Sequence, residues 1–164
     1  MNEKIGLIET ETLIASCDFE SKCAYTSVGN YPVEELLVLV TKFSEVTGES
    51  IESVIFLFAE FMFEKFEQGF PQFFGQTNLL DFLEKVESFI HPEVRKLYPD
   101  AELPRFVTSR EGDSLVMVYK SKRCLSLMAQ GLILAAIKRF DPAAKLEIRD
   151  SNDSGSETVF VITS

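Results

Sequence analysis

The hydrophobic pattern of this 164-residue sequence changes from a helical to an alternating period at Pro104. Before that proline, apolar residues recur at helical spacing, whereas in most of the chain after it they alternate as in strands that bury one face. A helical stretch over 125–140 divides the alternating part into two pairs of strands. The Gly-containing segments 111–113 and 150–157 separate the strands within each pair, as in hairpins. This order predicts an α+β fold, in which a helical half precedes an antiparallel four-stranded sheet with packed helices.

Capping residues and prolines mark the ends of the predicted helices. Ser50 and Asn78 are favourable N-caps, and Pro32 suits the first position of a helix. Pro92 lacks a backbone N–H, so we expect it to kink the helix that begins after Asn78. The other predicted helices cover 8–17, 33–46, 51–67 and 125–140, and the predicted strands cover 105–110, 114–120, 145–149 and 158–163.

Composition limits the organisation and the function classes. With 46% hydrophobic residues and no repeat or linker, we predict one domain, 1–164, with a helical part over 1–77 and an α/β part over 78–164. The net charge of −10 disfavours nucleic acid and anionic membranes as partners, because both would repel the chain. No run spans a bilayer and no signal peptide is visible, so we expect a cytoplasmic protein. No nucleophile–base pair or phosphate-binding loop is visible, so we do not expect an enzyme.

His91 is the only histidine of the chain and lies at the end of an apolar helical run. At about 100° per residue, it falls at the margin of the apolar stripe of this helix. That stripe comprises Leu79, Leu83, Val86, Ile90, Val94 and Leu97. A histidine at such a margin is either a hydrogen-bonded core residue or a ligand, and periodicity does not decide between them. One imidazole can hold a cofactor that supplies its other ligands itself, and haem iron is such a case.

Three hydrogen-bond donors, Tyr119, Ser121 and Arg123, follow the second predicted strand at a spacing of two. In extended backbone this spacing directs all three side chains to one face. A phenol, a hydroxyl and a guanidinium in a row suit a pair of carboxylates, such as the two propionates of haem, because Arg adds charge and parallel N–H donors. The alternative is an ordinary exposed edge, on which polar residues commonly alternate.

Phenylalanines are concentrated in one part of the chain. Ten of the 15 lie between Phe56 and Phe89, and there is no tryptophan. This concentration indicates either an unusually thick helical core or the wall of a flat apolar cavity.

Together these residues resemble the haem nitric oxide/oxygen-binding (H-NOX) family, which is related to the sensor domain of soluble guanylate cyclase. The similarity covers nearly the whole chain from about Ile5 and is densest in YTSVGNYPVEELLVLV, HPEVRKLYPDAELPRF and YKSKR. The Y-x-S-x-R motif of the family falls on Tyr119, Ser121 and Arg123, and its proximal histidine falls on His91. The resemblance therefore implies haem b, with its iron bound by the histidine and its propionates bound by the motif.

The resemblance also implies roles for other residues. Pro104 falls on the proline that presses against the porphyrin. The expected lining of the haem pocket comprises Met128, Leu132, Phe66, Phe70 and Phe74. Oxygen-binding members have a tyrosine where this chain has Met128, and a thioether is no useful donor. We therefore expect binding of nitric oxide and carbon monoxide without a stable oxygen complex, and the alternative is that the Met128 sulfur itself ligates the iron.

A mechanism and partners follow from the same resemblance. Nitric oxide weakens the bond between the iron and His91, the released imidazole frees its helix, and Pro104 lets the porphyrin relax. The expected partner is a separate bacterial histidine kinase or a cyclic-dinucleotide (GGDEF/EAL) signalling protein. Members of the family usually begin with a further helix before the segment that matches Ile5 and Gly6, and we expect the fold of this chain to lack that helix. The alternative function is a haem-free or other-ligand interaction module of the same fold.

Overall fold

The computed structural model describes residues 6–19, 21, 23–26, 29, 31–75 and 77–164. The chain divides into two compact units, Met1–Ile55 and Phe56–Ser164. The first unit is helical, whereas the second contains helices and the whole sheet. The prediction that a first helix is lacking concerns the chain before Gly6, which lies outside the described residues. None of the helices in the described ranges is long and apolar enough to cross a membrane.

Two helices and the start of a third form the first unit. They are α1 (Leu7–Ala15), α2 (Val33–Thr47) and α3 (Ile51–Gly69). Pro32 is the N-cap of α2, directly before the first helical residue, and Gly48 ends this helix with a φ of 74° that suits glycine. Oγ of Ser50 accepts a hydrogen bond from the N–H of Ser53 at 3.1 Å, so the predicted cap of α3 is confirmed. The buried core of this unit consists of Leu13, Val40, Phe43 and Val54.

The helix that carries His91 is interrupted at its centre. After a 3₁₀ turn (Pro71–Phe73), it consists of α4 (Leu79–Lys85), a π-helical segment (Val86–Ile90) and α5 (His91–Leu97). Oδ1 of Asn78 accepts from the N–H of Asp81 at 2.9 Å, which confirms the predicted cap. The N–H of His91 donates to the carbonyl oxygen of Val86, five residues back. The kink predicted at Pro92 thus takes the form of a wider turn directly before this proline. In a regular α-helix the proline ring would crowd the carbonyl group four residues earlier, and the wider turn relieves this contact.

The π-helical segment changes which residues face the core. One extra residue in a turn rotates every later residue by roughly 100° relative to a continuous α-helix. Leu79 and Leu83, before the segment, are buried as predicted, whereas Leu97, after it, is 58% exposed. His91 is 8% exposed and thus faces inward. The predicted stripe is therefore wrong at Leu97, because its spacing assumed α-helical rotation throughout, whereas Val94 is half-buried.

Four antiparallel strands form the sheet of the second unit. They are β1 (Arg105–Glu111), β2 (Ser114–Lys120), β3 (Lys145–Ser151) and β4 (Glu157–Thr163), in the spatial order β1-β2-β4-β3. Glu111 pairs with Ser114 across the first hairpin, where Gly112 has a φ of 61°. Helix α6 (Ser126–Phe140) packs against one face, whose buried residues include Leu115, Met117, Phe160 and Ile162. Helices with an antiparallel four-stranded sheet confirm the α+β prediction.

Candidate functional site

The ring of His91 lies in the second unit, beside the beginning of β1. Its Nδ1 atom is 3.2 Å from Oε2 of Glu87, which lies one turn earlier in the π segment. The same oxygen accepts a hydrogen bond from the backbone N–H of Phe106 at 3.0 Å. In the described part of the chain, Nε2 of His91 makes no hydrogen bond. With its hydrogen on Nδ1, the ring keeps a lone pair on Nε2 that can bind a metal.

The protonation state of His91 also suits a metal ligand. Burial lowers the pKa of the imidazole below its usual value, and the carboxylate of Glu87 opposes this only in part. The ring is therefore neutral at pH 7, which is the form that ligates metals. Because a porphyrin supplies four nitrogens to its iron, a site that offers one imidazole nitrogen fits haem.

Phe106 connects this histidine to the motif on the second strand. Its ring centroid is 5.8 Å from that of His91 and 5.7 Å from that of Tyr119, its register partner on β2. All three side chains are buried. The sequence reasoning missed both Phe106 and Glu87. The only local signal was the spacing of four between Glu87 and His91, which places two side chains on one side of a helix.

The motif residues Tyr119, Ser121 and Arg123 do not share one extended strand. Strand β2 ends at Lys120, and a turn follows in which the N–H of Cys124 donates to the carbonyl oxygen of Ser121 at 3.4 Å. The predicted row on one strand face is therefore wrong, because the extended backbone ends one residue after Tyr119. The N–H of Arg123 donates to Oγ of Ser121 at 3.1 Å, so the turn keeps these two residues adjacent.

The motif nevertheless presents donors that suit carboxylates. Oη of Tyr119 accepts from the N–H of Leu125 at 3.1 Å, so its hydroxyl hydrogen can serve another acceptor. Nε of Arg123 donates to Oε2 of Glu102 at 3.3 Å, and the four N–H donors on its two terminal nitrogens make no hydrogen bond in the described part of the chain. Burial raises the pKa of the Tyr119 phenol, and hydrogen bonds from Ser121 and Leu125 oppose this in part. The phenol is thus a protonated donor at neutral pH, and the set fits the propionates of haem.

The loop between β3 and β4 lies against this turn. The N–H of Ser121 donates to the carbonyl oxygen of Ser156 at 2.9 Å. Gly155 has a φ of 68°, and a Cβ added to it would lie 2.8 Å from Oγ of Ser126 and 3.4 Å from the carbonyl oxygen of Cys124. The close approach of loop and turn therefore depends on glycine at this position. No sequence signal indicated the contact, because all of α6 and β3 separate the two segments.

The three phenylalanines that were predicted to line a pocket differ in exposure. Phe74 is buried and packs against Phe82, with 5.1 Å between the ring centroids. Phe70 is half-buried and stacks on Phe73 at 5.8 Å. Phe66, on α3, is 39% exposed. Phe74 thus belongs to the core while Phe66 presents apolar surface, and the contact of the three with a cofactor stays a prediction.

Pro104, Met128 and Leu132 lie on elements next to these residues. Pro104 directly precedes β1, two residues before Phe106. Met128 and Leu132 lie one turn apart on α6, and both are half-buried. Leu132 packs against the core of the second unit. Their contact with haem likewise stays a prediction.

Comparison with known proteins identifies the family. A model of the Haem-NO-binding family matches residues 1–148. The chain belongs to the H-NOX family. The members of this family are haem-based gas sensors.

Solved H-NOX structures resemble the chain over nearly its whole length. The Fe(II) unliganded H-NOX protein from K. algicida is 34% identical, with a TM-score of 0.89, over 99% of this chain and 89% of that chain. The IWP-051-bound H-NOX from Shewanella woodyi, in the Fe(II)CO ligation state, is 36% identical, with a TM-score of 0.85, over 99% and 87%. An H-NOX protein from S. oneidensis in the Fe(II)NO ligation state is 20% identical and shares the fold, with a TM-score of 0.84 over 98% and 91%. No curated protein matches.

Proposed function

We propose that this H-NOX chain is a haem-based nitric oxide sensor that passes its signal to a separate protein. In this proposal, Nε2 of His91 binds the iron of haem b, and Tyr119, Ser121 and Arg123 bind its propionates. The environment of His91 is the observation that carries the proposal. The imidazole is buried and neutral, and a carboxylate lies at its Nδ1 atom while its Nε2 atom is available.

The residues around the proposed site have distinct tasks. When bound, haem supplies an iron atom at which a diatomic gas can bind. Pro104 would contact the porphyrin from its position directly before β1. The apolar side chains of Phe66, Phe70, Phe74 and Leu132 would exclude water from it. The proposed receiver of the signal is a histidine kinase or a cyclic-dinucleotide signalling protein, as is usual for bacterial members of the family.

Met128 sets the proposed gas preference. A hydrogen-bond donor stabilises an oxygen ligand, which carries partial negative charge, more than it stabilises nitric oxide. The thioether of Met128 offers no such donor. H-NOX relatives are known with carbon monoxide and with nitric oxide. We therefore expect this chain to bind both of these gases and to show no oxygen-bound spectrum that lasts for hours in air.

Titration of haem-free protein with hemin tests the cofactor assignment. The wild type should take up one hemin per chain and develop a Soret band, and His91→Ala should change that band and weaken retention. His91→Gly should regain the wild-type spectrum when imidazole is added, because the free ring can occupy the place of the side chain. A folded wild-type chain that stays colourless would contradict the proposal and favour the other-ligand module. An unchanged spectrum in His91→Ala would exclude this residue as the iron ligand.

Substitutions at two neighbouring basic residues, Arg123 and Lys122, test the propionate assignment. Arg123→Ala should speed hemin dissociation about tenfold, since a hydrogen bond to a charged group contributes about 1.5–3 kcal/mol and this side chain is partly exposed. Lys122→Ala is the matched control, because it removes the same charge from the adjacent exposed position. Hemin dimethyl ester, which lacks the acid groups, should dissociate from both variants at similar rates. Equal effects of the two substitutions on hemin itself would contradict the assignment.

A further inference from the structure

Glu87 makes two contacts through one oxygen atom. Its Oε2 lies 3.2 Å from Nδ1 of His91 and accepts the backbone N–H of Phe106 at 3.0 Å. The side chains of Glu87 and His91 are 30% and 11% exposed, so both contacts are largely shielded from water. One carboxylate oxygen thus joins the only histidine to the beginning of the first strand.

The π-helical segment brings about this arrangement. Glu87 lies in the segment, and the wide turn is closed by a hydrogen bond from the N–H of His91 to the carbonyl oxygen of Val86. The resulting rotation turns the imidazole inward, towards β1, although a continuous α-helix would leave it at the margin. Single wide turns of this kind recur at functional sites, because they re-aim a side chain at the cost of regular hydrogen bonding. The backbone therefore directs both members of the pair towards the same strand end.

A carboxylate at Nδ1 selects one tautomer of the imidazole. The acceptor holds the hydrogen on Nδ1, which leaves the lone pair on Nε2 and makes that nitrogen a stronger donor to a metal. The bond from Phe106 fixes the carboxylate in turn, so the direction of the ring depends on β1 as well as on its own helix. Because Pro104 lies two residues before Phe106, the same strand end carries a residue of the proposed haem site and the N–H that fixes the carboxylate.

We infer that Glu87 is a positioning residue, which sets the tautomer and the direction of His91 and couples the histidine helix to the first strand through Phe106. This inference rests on the proposed function for its link to haem, and on the described contacts for the orientation of the ring. Glu87 does not touch the cofactor in this inference and acts only through His91. It adds a route by which a movement of the imidazole reaches the edge of the sheet.

Substitutions at Glu87 separate its charge from its hydrogen bonds. Glu87→Gln keeps the shape and an acceptor oxygen but removes the charge, whereas Glu87→Ala removes both contacts. Glu93→Ala is the matched control, because Glu93 lies on the same helix, two residues from His91, and pairs with Lys96 on the exposed side. Circular dichroism establishes that each full-length variant is folded. Glu87→Gln keeps the test decisive if the alanine variant does not fold.

Two measurements follow the imidazole directly. Because the chain has one histidine, a nitrogen-15 NMR spectrum of the haem-free protein reports a single ring. The wild type and Glu93→Ala should carry the hydrogen on Nδ1, and Glu87→Ala should shift it towards Nε2. With hemin bound and reduced, the iron–histidine stretching frequency should fall from wild type to Glu87→Gln to Glu87→Ala. Hemin dissociation should become about tenfold faster in the alanine variant, as is typical when the partner of a ligating histidine is removed.

The outcomes distinguish this inference from the proposed function. A tautomer and a stretching frequency that are the same in Glu87→Ala and in Glu93→Ala would overturn the role of Glu87 and leave the haem assignment intact. A wild type that takes up no hemin would overturn the proposed function, while the NMR spectra of the haem-free variants would still decide whether Glu87 orients the ring. A loss of stability in Glu87→Ala without a change of tautomer would show that the carboxylate only ties the helix to β1, and would also overturn the inference.

Discussion

Gly131→Ala should destabilise the second unit, although alanine is the better helix former. Gly131 is buried on α6, at the point where this helix meets α3. A Cβ added to it would lie 2.6 Å from Cβ of Ala59 and 3.1 Å from Cδ1 of Phe56. Non-bonded carbon atoms normally stay about 3.5–4.0 Å apart. The two helices must therefore separate by about 1 Å to admit one methyl group.

Two opposing contributions set the size of this effect. Exchange of glycine for alanine inside a helix adds about 0.8–1.0 kcal/mol to the free energy of unfolding. Overpacking of a core removes about 1–3 kcal/mol, and the upper part of this range applies because the methyl group of Ala59 has no other rotamer to adopt. We expect a net loss of about 1–2 kcal/mol. For a chain of this length, that loss lowers the midpoint of thermal unfolding by about 2–8 °C.

Gly69→Ala is the matched control for this experiment. Gly69 is the last residue of α3, and nothing lies within 4 Å of a Cβ added there. This variant should be as stable as the wild type or slightly more stable. Thermal unfolding followed by circular dichroism compares the two. Because α6 carries Met128 and Leu132, Gly131→Ala should also change the rate of hemin dissociation, whereas Gly69→Ala should not.

The close contact at Gly131 also predicts the order of stability among substituted proteins. Gly131→Leu adds more volume at the same contact and should destabilise the protein more than Gly131→Ala does. A Gly131→Ala protein that is at least as stable as the Gly69→Ala protein would refute the close contact between α3 and α6. The same conclusion would follow if leucine were tolerated as well as alanine.

Three further predictions concern the turn that follows β2 (residues 121–124), the preference between gases and the protonation of His91. Gly155→Ala should speed hemin dissociation, because its Cβ would push on the turn after β2. Gly112→Ala is the control, because Gly112 has a φ of 61° with open space around it and its substitution should cost only about 1 kcal/mol of stability. Equal hemin dissociation rates in the two variants would contradict the role of Gly155. Met128→Tyr should add a donor and give an oxygen-bound spectrum that persists in air, and rapid oxidation in both proteins would count against the role of Met128. Because burial lowers the pKa of His91, the unfolded chain takes up its proton first as the pH falls below 6.5. Between that pH and the lowered pKa of the folded ring, the haem-free wild type should therefore lose up to about 1.4 kcal/mol per pH unit in excess of His91→Gln, and the excess loss should stop below that pKa, as measured by urea unfolding at several pH values.

Local patterns in the sequence determined the kinds of elements and their order. The change of period at Pro104 predicted helices before it and two pairs of strands divided by one helix after it, and the caps at Ser50 and Asn78 are where they were expected. These features depend on neighbours within a few residues, so a sequence records them directly. The lone histidine and the spacing of Tyr119, Ser121 and Arg123 likewise sufficed to suggest the family, because residue identity and order do not depend on packing.

The tertiary structure decided where these residues point. The π segment turned His91 inward, a turn after Lys120 replaced the expected extended backbone, and Glu87 met the N–H of Phe106, nineteen residues further along the chain. Gly155 approaches the turn after β2, from which it is separated by an even longer stretch of sequence. The contacts of Glu87 with Phe106 and of Gly155 with the turn after β2 form only when segments that are distant in sequence pack together. The sequence therefore determined which chemical groups the site contains, and only the packing of the second unit decided how they are oriented.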